Sequence, residues 1–503
     1  MGGRVACRRP LLCRSVIPRR SGGVATAALI LLSGCAREPA PPDSQLVAQW
    51  LRSSLAFVRS ERLGPPVASR ISAYGSLALY EGYAADPRSR LRSLAGQLNG
   101  LARSALPVPP SDVAVDGAIV AAEAQRVVLD SLFREGFPST RRTIDSLARA
   151  QVAARAQAGV EPDARARSVA HGRSLGHAIL AYAAADGFLA TRGRPWTPPV
   201  GRGLWVNTAT TDQFVAQMLS AESDVVLTGN PASTLDVERA TERWMFANRP
   251  KALPPNTTLP TFNPIRPTEP YWGTLRTFVL RDGSECTPPP IVPYSEAPGS
   301  PFWRMAKELY DSVRALTPAT RQVALFWADN PVATGTPAFH WISVVNQMIA
   351  RQKLTADEAA ELYALTSLAI ADAFVGCWKE KYRSLVVRPV TYVQRFIDPS
   401  FTTLVATPPF PEYPSGHSTL SAAAAEVLEA MLGDTVAFVD SSQVDIGFAA
   451  RPFRSFSEAR NEVAISRVYG GIHYMPAVVN GLAQGECIGR RVLDRLKTRD
   501  ADR

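Results

Sequence analysis

The sequence predicts an all-α fold of helical bundles, with a proline-rich irregular segment between two halves, and three observations support this. Alanine and leucine dominate the 503 residues, and few stretches alternate with period two, so helices are favoured over strands. Apolar residues recur at three- and four-residue spacing through most of both halves. Between Pro250 and Pro301 lie 13 prolines, a density that no long helix survives. The composition, 46% apolar and 20% charged, is that of a globular chain long enough for two domains or one large helical body.

The chain begins with a basic leader. Of the formal charge of +10, six units come from Arg4, Arg8, Arg9, Arg14, Arg19 and Arg20. The remaining +4 is ordinary for this size. No basic run with interleaved aromatics appears elsewhere, so nucleic acid is excluded as a partner. The leader precedes a short apolar run, Val24 to Leu32, too short to span a bilayer, and then Leu32-Ser33-Gly34-Cys35. Residues 1–35 have the form of a secretory signal. Leu-Ser-Gly-Cys resembles the bacterial lipobox, which implies lipidation of Cys35, a tether over Ala36–Pro42, and an exported protein anchored to the bacterial envelope at the outer membrane. In an oxidising compartment Cys286, Cys377 and Cys487 allow one disulfide and one free thiol, with the pairing open. Their spacing matches no zinc site.

Residues 36–250 form the N-terminal helical region. From Ser44 to about Gly100 helical spacing runs through Leu46, Trp50, Leu51, Leu55 and Val58, and the small residues of Ala73–Tyr83 suit close packing. Amphipathic helices are expected at Asp112–Glu135, Thr140–Ala158 and Arg165–Phe188. His171 and His177, six residues apart, fall on different helix faces and do not share a metal. Residues 251–300 are the connecting segment, expected to pack on the body because it carries Cys286 and several aromatics.

Residues 301–495 form the second helical domain. Helices are expected at Phe302–Leu316 and again after Pro318. Phe326-Trp327-Ala328-Asp329, Gly335-Thr336-Pro337 and Phe339-His340-Trp341 follow; the aromatic neighbours of His340 give it a packing role. Thr355-Ala356-Asp357-Glu358 is a capping box opening a long helix to about Tyr382, with Lys381 near its end and Trp378 on the same face. Pro389 stops any continuation and leaves Arg388 extended.

Three short motifs carry the chemistry. Lys381 is followed after six residues by Arg388-Pro389. Pro414-Ser415-Gly416-His417 lies between a proline-rich run and an alanine-rich helix, so its backbone N–H groups sit at a helix N-terminus that favours an anion. Gly416 allows close backbone approach. Ser466-Arg467 is followed after five residues by His473. One lysine and two arginines supply permanent charge and forked donors matched to a tetrahedral oxyanion.

Together these motifs resemble the superfamily of vanadium-dependent haloperoxidases and type 2 phosphatidic acid phosphatases, over roughly residues 300–495. Trp378 three residues before the lysine, Phe410 seven before the histidine, and the Phe-Trp-Ala-Asp…Gly-Thr-Pro stretch favour the haloperoxidase branch. The resemblance implies a helical-bundle fold with vanadate as cofactor and hydrogen peroxide and halide as substrates. It implies that His473 binds vanadium, that Lys381, Arg388, Ser415, Gly416 and Arg467 bind the oxyanion's oxygens, and that His417 is the acid–base group. Trp378 and Phe410 would shape the halide side, and Asp329 would pair with Arg467. The same residues fit an acid phosphatase acting on a phosphoester, with His473 as nucleophile and His417 as acid. A third possibility is a non-catalytic oxyanion-binding lipoprotein. Superfamily members commonly carry aspartate four residues after the second histidine; here Ala477 stands there, a change that weighs more against a nucleophile than against a metal ligand.

Overall fold

Helices account for nearly all regular structure in the computed structural model, which describes residues 43–109, 114–208, 262–263, 266–331 and 333–499. The signal and lipidation segment around Cys35 lies outside the described residues. In chain order the helices are α1 (Asp43–Ser60), α2 (Pro65–Ala84), α3 (Gly117–Leu132), α4 (Pro138–Gln157), α5 (Pro162–Ala184) and the short α6 (Phe188–Thr191). The second half adds α7 (Pro301–Arg314), α8 (Pro318–Phe326), α9 (Thr336–Arg351), α10 (Ala356–Ser384), α11 (Pro389–Phe396), α12 (Gly416–Leu432), α13 (Phe456–Tyr469) and α14 (Met475–Arg495).

Most boundaries follow from local chemistry. Pro stands in the first turn of α2, α4, α5, α7, α8, α9, α11 and α14, where its missing N–H costs nothing. The expected capping box is present: Glu358 N–H donates to Thr355 Oγ1 and Thr355 N–H to the Glu358 carboxylate. The helical spacing read to about Gly100 ends earlier, at Ala84. Asp86-Pro87 interrupts it, and Gly96 and Gly100 adopt left-handed φ of 83° and 72°, which a helix cannot use.

The core is built on α2 and α10. Nearly every residue of α2 is buried, and it packs on α3 and α10. A Cβ on Gly82 would lie 2.3 Å from Ala121 Cα, so that crossing requires glycine. α10 is apolar and long enough to cross a membrane, but its most apolar stretch is wholly buried inside the protein. Residues of both halves share this core, and the Ser72 and Ser367 hydroxyls, 2.7 Å apart, link α2 to α10 within it.

The described part of the proline-rich segment, from Arg266 on, is packed on the body. The Asp372 carboxylate of α10 accepts the backbone N–H groups of Phe278, Val279 and Leu280 at 2.6–2.9 Å. Burial pushes that carboxyl up to about 6, against the pull of those bonds. Cys286 is bonded to Cys487 of α14, leaving Cys377 buried and free. The one departure from an all-helical body among the described residues is a short antiparallel pair, β1 (Phe438–Asp440) and β2 (Arg451–Phe453). Burial alternates along Phe438-Val439-Asp440 against residue type: Val439 is exposed and Asp440 is buried.

Candidate active site

The three motifs converge on one buried place. Lys381 lies on the last turn of α10, and the left-handed Leu385 ends that helix. Arg388 is extended, as Pro389 requires, and caps α11. Ser415 caps α12, its Oγ accepting the Ser418 N–H, and Gly416 and His417 are the first helical residues, so their N–H groups lack intrahelical partners. Arg467 lies near the end of α13, and His473 in the turn before α14. α12 and α14 are held close: a Cβ on Gly485 would fall 2.0 Å from the Thr419 carbonyl oxygen.

The cations are fully buried and anchored by backbone carbonyls. Lys381 Nζ donates to the carbonyls of Pro411, Glu412 and Pro414 at 3.0, 2.9 and 2.5 Å. Arg388 donates Nε–H to Phe410 O and Nη1–H to Ile472 O, both at 2.9 Å. Arg467 Nη1 donates to Trp327 O at 2.6 Å. Burial lowers Lys381 to about 7 and both arginines to about 10.

His473 is oriented by a residue that the motifs did not include. Its Nδ1 lies 2.9 Å from Glu412 Oε1, which also accepts the Tyr474 N–H at 3.0 Å. An acceptor-only oxygen in that position requires the proton on Nδ1. Nε2 is then the lone-pair nitrogen, and Arg388 Nη1 approaches it at 3.3 Å. Burial, then Arg388 and Lys381, drive the ring well below the usual histidine range. Glu412 thus fills the role left open by Ala477, whose own carbonyl accepts the Ser415 N–H. Sequence reasoning passed over Glu412; a buried acid between Pro411 and Pro414 was the available signal.

His417 Nε2 faces Asp329 Oδ2 at 3.8 Å. Burial, then Arg467, His340 and Lys381, lower its proton affinity well below normal. The expected Asp329–Arg467 ion pair is not formed. Asp329 turns its Oδ1 to His340 Nδ1 at 2.8 Å and to Gln443 Nε2 at 2.8 Å, although its charge still acts on Arg467. His340 does stack on Trp327, with ring centroids 4.3 Å apart, as its aromatic neighbourhood implied. It is also held from the other side by Asp440 Oδ2, 2.7 Å from Nε2.

Trp378 and Phe410 pack together, centroids 5.0 Å apart, with Lys381 Nζ 5.1 Å from the Phe410 ring. Trp378 Nε1 donates to Thr268 O of the proline-rich segment, so that segment braces this wall.

Residues 361–500 match the family model of the VCPO second helical-bundle domain. The vanadium chloroperoxidase of Curvularia inaequalis is 33% identical over 124 residues, covering 20% of each chain; the match spans about a fifth of that relative's length. A bacterial vanadium-dependent iodoperoxidase of known structure is 31% identical, with TM-score 0.72, covering 92% of this chain and 98% of that one. The chain belongs to the vanadium-dependent haloperoxidase family. A holo-type bacterial vanadium-dependent chloroperoxidase, 16% identical, covers 86% of this chain and 92% of its own with TM-score 0.58, a likeness of fold.

The family implies a vanadate cofactor, and the residues present fit one. Arg388 Nη2 and Arg467 Nε are buried without partners. Unpaired buried donors are costly, and a tetrahedral oxyanion set between them, with Gly416 N–H at the helix N-terminus, would satisfy them. His473 Nε2, the lone-pair nitrogen, would be the protein atom that holds it.

Proposed function

We propose that this protein is a vanadate-dependent haloperoxidase that uses hydrogen peroxide to oxidise halide to a hypohalous species. The reading rests chiefly on one observation: the lone-pair nitrogen of His473, fixed by Glu412, lies among buried guanidinium donors left without partners. Vanadate, when bound, supplies a Lewis acid that polarises peroxide without itself changing oxidation state. Arg388 and Arg467 bind and neutralise the anion, and Lys381, whose three donors are committed to backbone carbonyls, adds its charge beside them. His417, kept neutral at ordinary pH by burial and the surrounding cations, accepts a peroxide proton at Nε2 and returns one to the departing oxygen. Trp378 and Phe410 form the apolar wall that halide would approach. Protein prepared without vanadate and then reconstituted should halogenate a phenol-type indicator when given peroxide and chloride, bromide or iodide. Absence of turnover with all three halides, beside hydrolysis of a phosphate monoester, would overturn the reading.

Glu412 also favours a second reading. A nucleophilic histidine needs an orienting acid, and Glu412 provides one despite Ala477, so a phosphohistidine mechanism on a phosphoester is the competing activity. Trapping of a phosphorylated His473 in acid-quenched protein would support it. A non-catalytic, oxyanion-binding protein would bind vanadate yet turn over neither substrate. We further propose that Cys35 carries a lipid anchoring the exported protein to the bacterial envelope; Cys35→Ser should release it from the membrane fraction, and retention there would refute the anchor.

A further inference from the structure

The cluster formed by Asp329, His340 and Asp440 has no place in the oxyanion cradle, yet all three side chains are almost wholly buried. A buried ionic cluster is weak evidence for stability, since well-packed apolar residues usually do as well. Its position therefore calls for another explanation. Asp329 divides its two oxygens: Oδ1 is engaged by His340 Nδ1 and Gln443 Nε2, and Oδ2 faces His417 Nε2 at 3.8 Å. Asp329 itself has a left-handed φ of 46°, a conformation that aspartate tolerates better than most non-glycine residues. On the far side, Asp440 Oδ2 and Ser442 Oγ both lie 2.7 Å from His340 Nε2, and Asp440 is placed by β1. With both ring nitrogens set against carboxylates, His340 is the imidazolium, donating on each side.

We propose that His340 is a positioning residue for the acid–base step. Clamped between Asp329 and Asp440, it fixes the Asp329 carboxylate so that one oxygen is committed to His340 and the other faces His417. The clamp balances the field at His417. A carboxylate and a cation are held side by side, so Asp329 is near enough to steady a proton arriving on His417, while His340 keeps that proton from staying. A shift of about an ångström would bring the His417–Asp329 pair into hydrogen-bond range. The charged and titratable groups around His417 are Lys381 of α10, Arg467 of α13, His340 of α9, His473 from the turn before α14, and Asp329 from the loop before α9. The catalytic part of this inference rests on the haloperoxidase reading; the electrostatic part does not.

The test uses full-length protein without vanadate, labelled in its five histidines, with the His417 resonance assigned by its loss in H417N. His340→Gln keeps an amide that can bond Asp329 but removes the cation, so the His417 titration midpoint should rise by about one pH unit or more. Asp329→Asn removes the facing anion and should lower it. Asp440→Asn, which strips a negative charge from the outer side of His340, should also lower it, and serves if H340Q fails to fold. A merely structural role would not move His417 in opposite directions. In reconstituted protein, the acidic limb of the halide-oxidation pH profile should follow the same order, with vanadate affinity changed less than turnover. A His417 midpoint unchanged in folded H340Q, or in folded D440N, overturns the clamp. Wild-type protein without halide turnover overturns the haloperoxidase reading instead, and leaves the titration result standing.

Discussion

Glu412 Oε1 accepts from both His473 Nδ1 and the Tyr474 N–H, at 2.9 and 3.0 Å, so a single carboxylate oxygen fixes the ring's tautomer and the start of α14 together. Burial pushes that carboxyl up to about 7, while Arg388 and Lys381 pull it down. It therefore holds a proton more tightly than an ordinary carboxylate does.

Glu412→Ala should weaken vanadate binding by about 10–100-fold, the usual cost of losing a residue that orients a metal-ligating histidine. Glu412→Gln, whose amide oxygen still accepts from Nδ1, should lose less. Calorimetric titration of the protein with vanadate measures both, and wild-type affinity in folded E412A would remove Glu412 from the site.

The two active-site histidines should separate binding from turnover. His417→Ala should retain most vanadate affinity while halide oxidation falls about 10²–10⁴-fold, the range for losing a general acid–base group. His473→Ala should lose both. Equal loss of binding in the two variants would contradict the assigned roles.

His340 should leave a signature in stability against pH. Although burial opposes its charge, Asp329 and Asp440 raise it from 6.5 to about 10. Its stabilisation is thus fully present below pH 6.5 and is lost as pH rises through 10. Lys381, lowered from 10.5 to about 7, acts in the opposite sense across much of the same window, because its burial as an ammonium ceases to be a cost as it deprotonates. The difference in Tm between wild type and His340→Gln isolates the histidine. That difference should be largest near pH 6 and shrink towards pH 10; a constant difference would mean that His340 is not held charged.

The disulfide closes a separation of 201 residues between the proline-rich segment and α14. Cys286→Ser should lower unfolding stability by about 2–4 kcal/mol, read from denaturant midpoints. Halide turnover should fall less than stability, because Asp372 still pins Phe278–Leu280. A midpoint indistinguishable from wild type would show that these contacts carry the segment alone.

The helices were legible because their signals are local: the Thr355/Glu358 box, the prolines in first turns and the apolar spacing of α1 and α2. The residues that converge on the candidate site were legible because spacing within each motif survives without the fold. Glu412 and the Asp329–His340–Asp440 cluster were not, because their meaning depends on partners far away in sequence. His340 and Asp440 are 100 residues apart, and nothing near either announces the other. The same limit applied to the cysteines, where only the packing of α14 on the proline-rich segment chose Cys286–Cys487 over the other pairs. Ala477 misled in an instructive way: the orienting acid is Glu412, 61 residues before His473 in the sequence.

Lys381 and Arg388 are held by five backbone carbonyls, those of residues 410, 411, 412, 414 and 472. Peptide dipoles thus share with the Glu412 carboxyl the task of balancing these two charges. On the haloperoxidase reading proposed above, folding and cofactor loading are separate events, and the fraction of active molecules should follow the oxyanion supply that the finished protein meets. Phosphate, with the same shape and a far greater abundance in most settings, is then the natural rival for the seat.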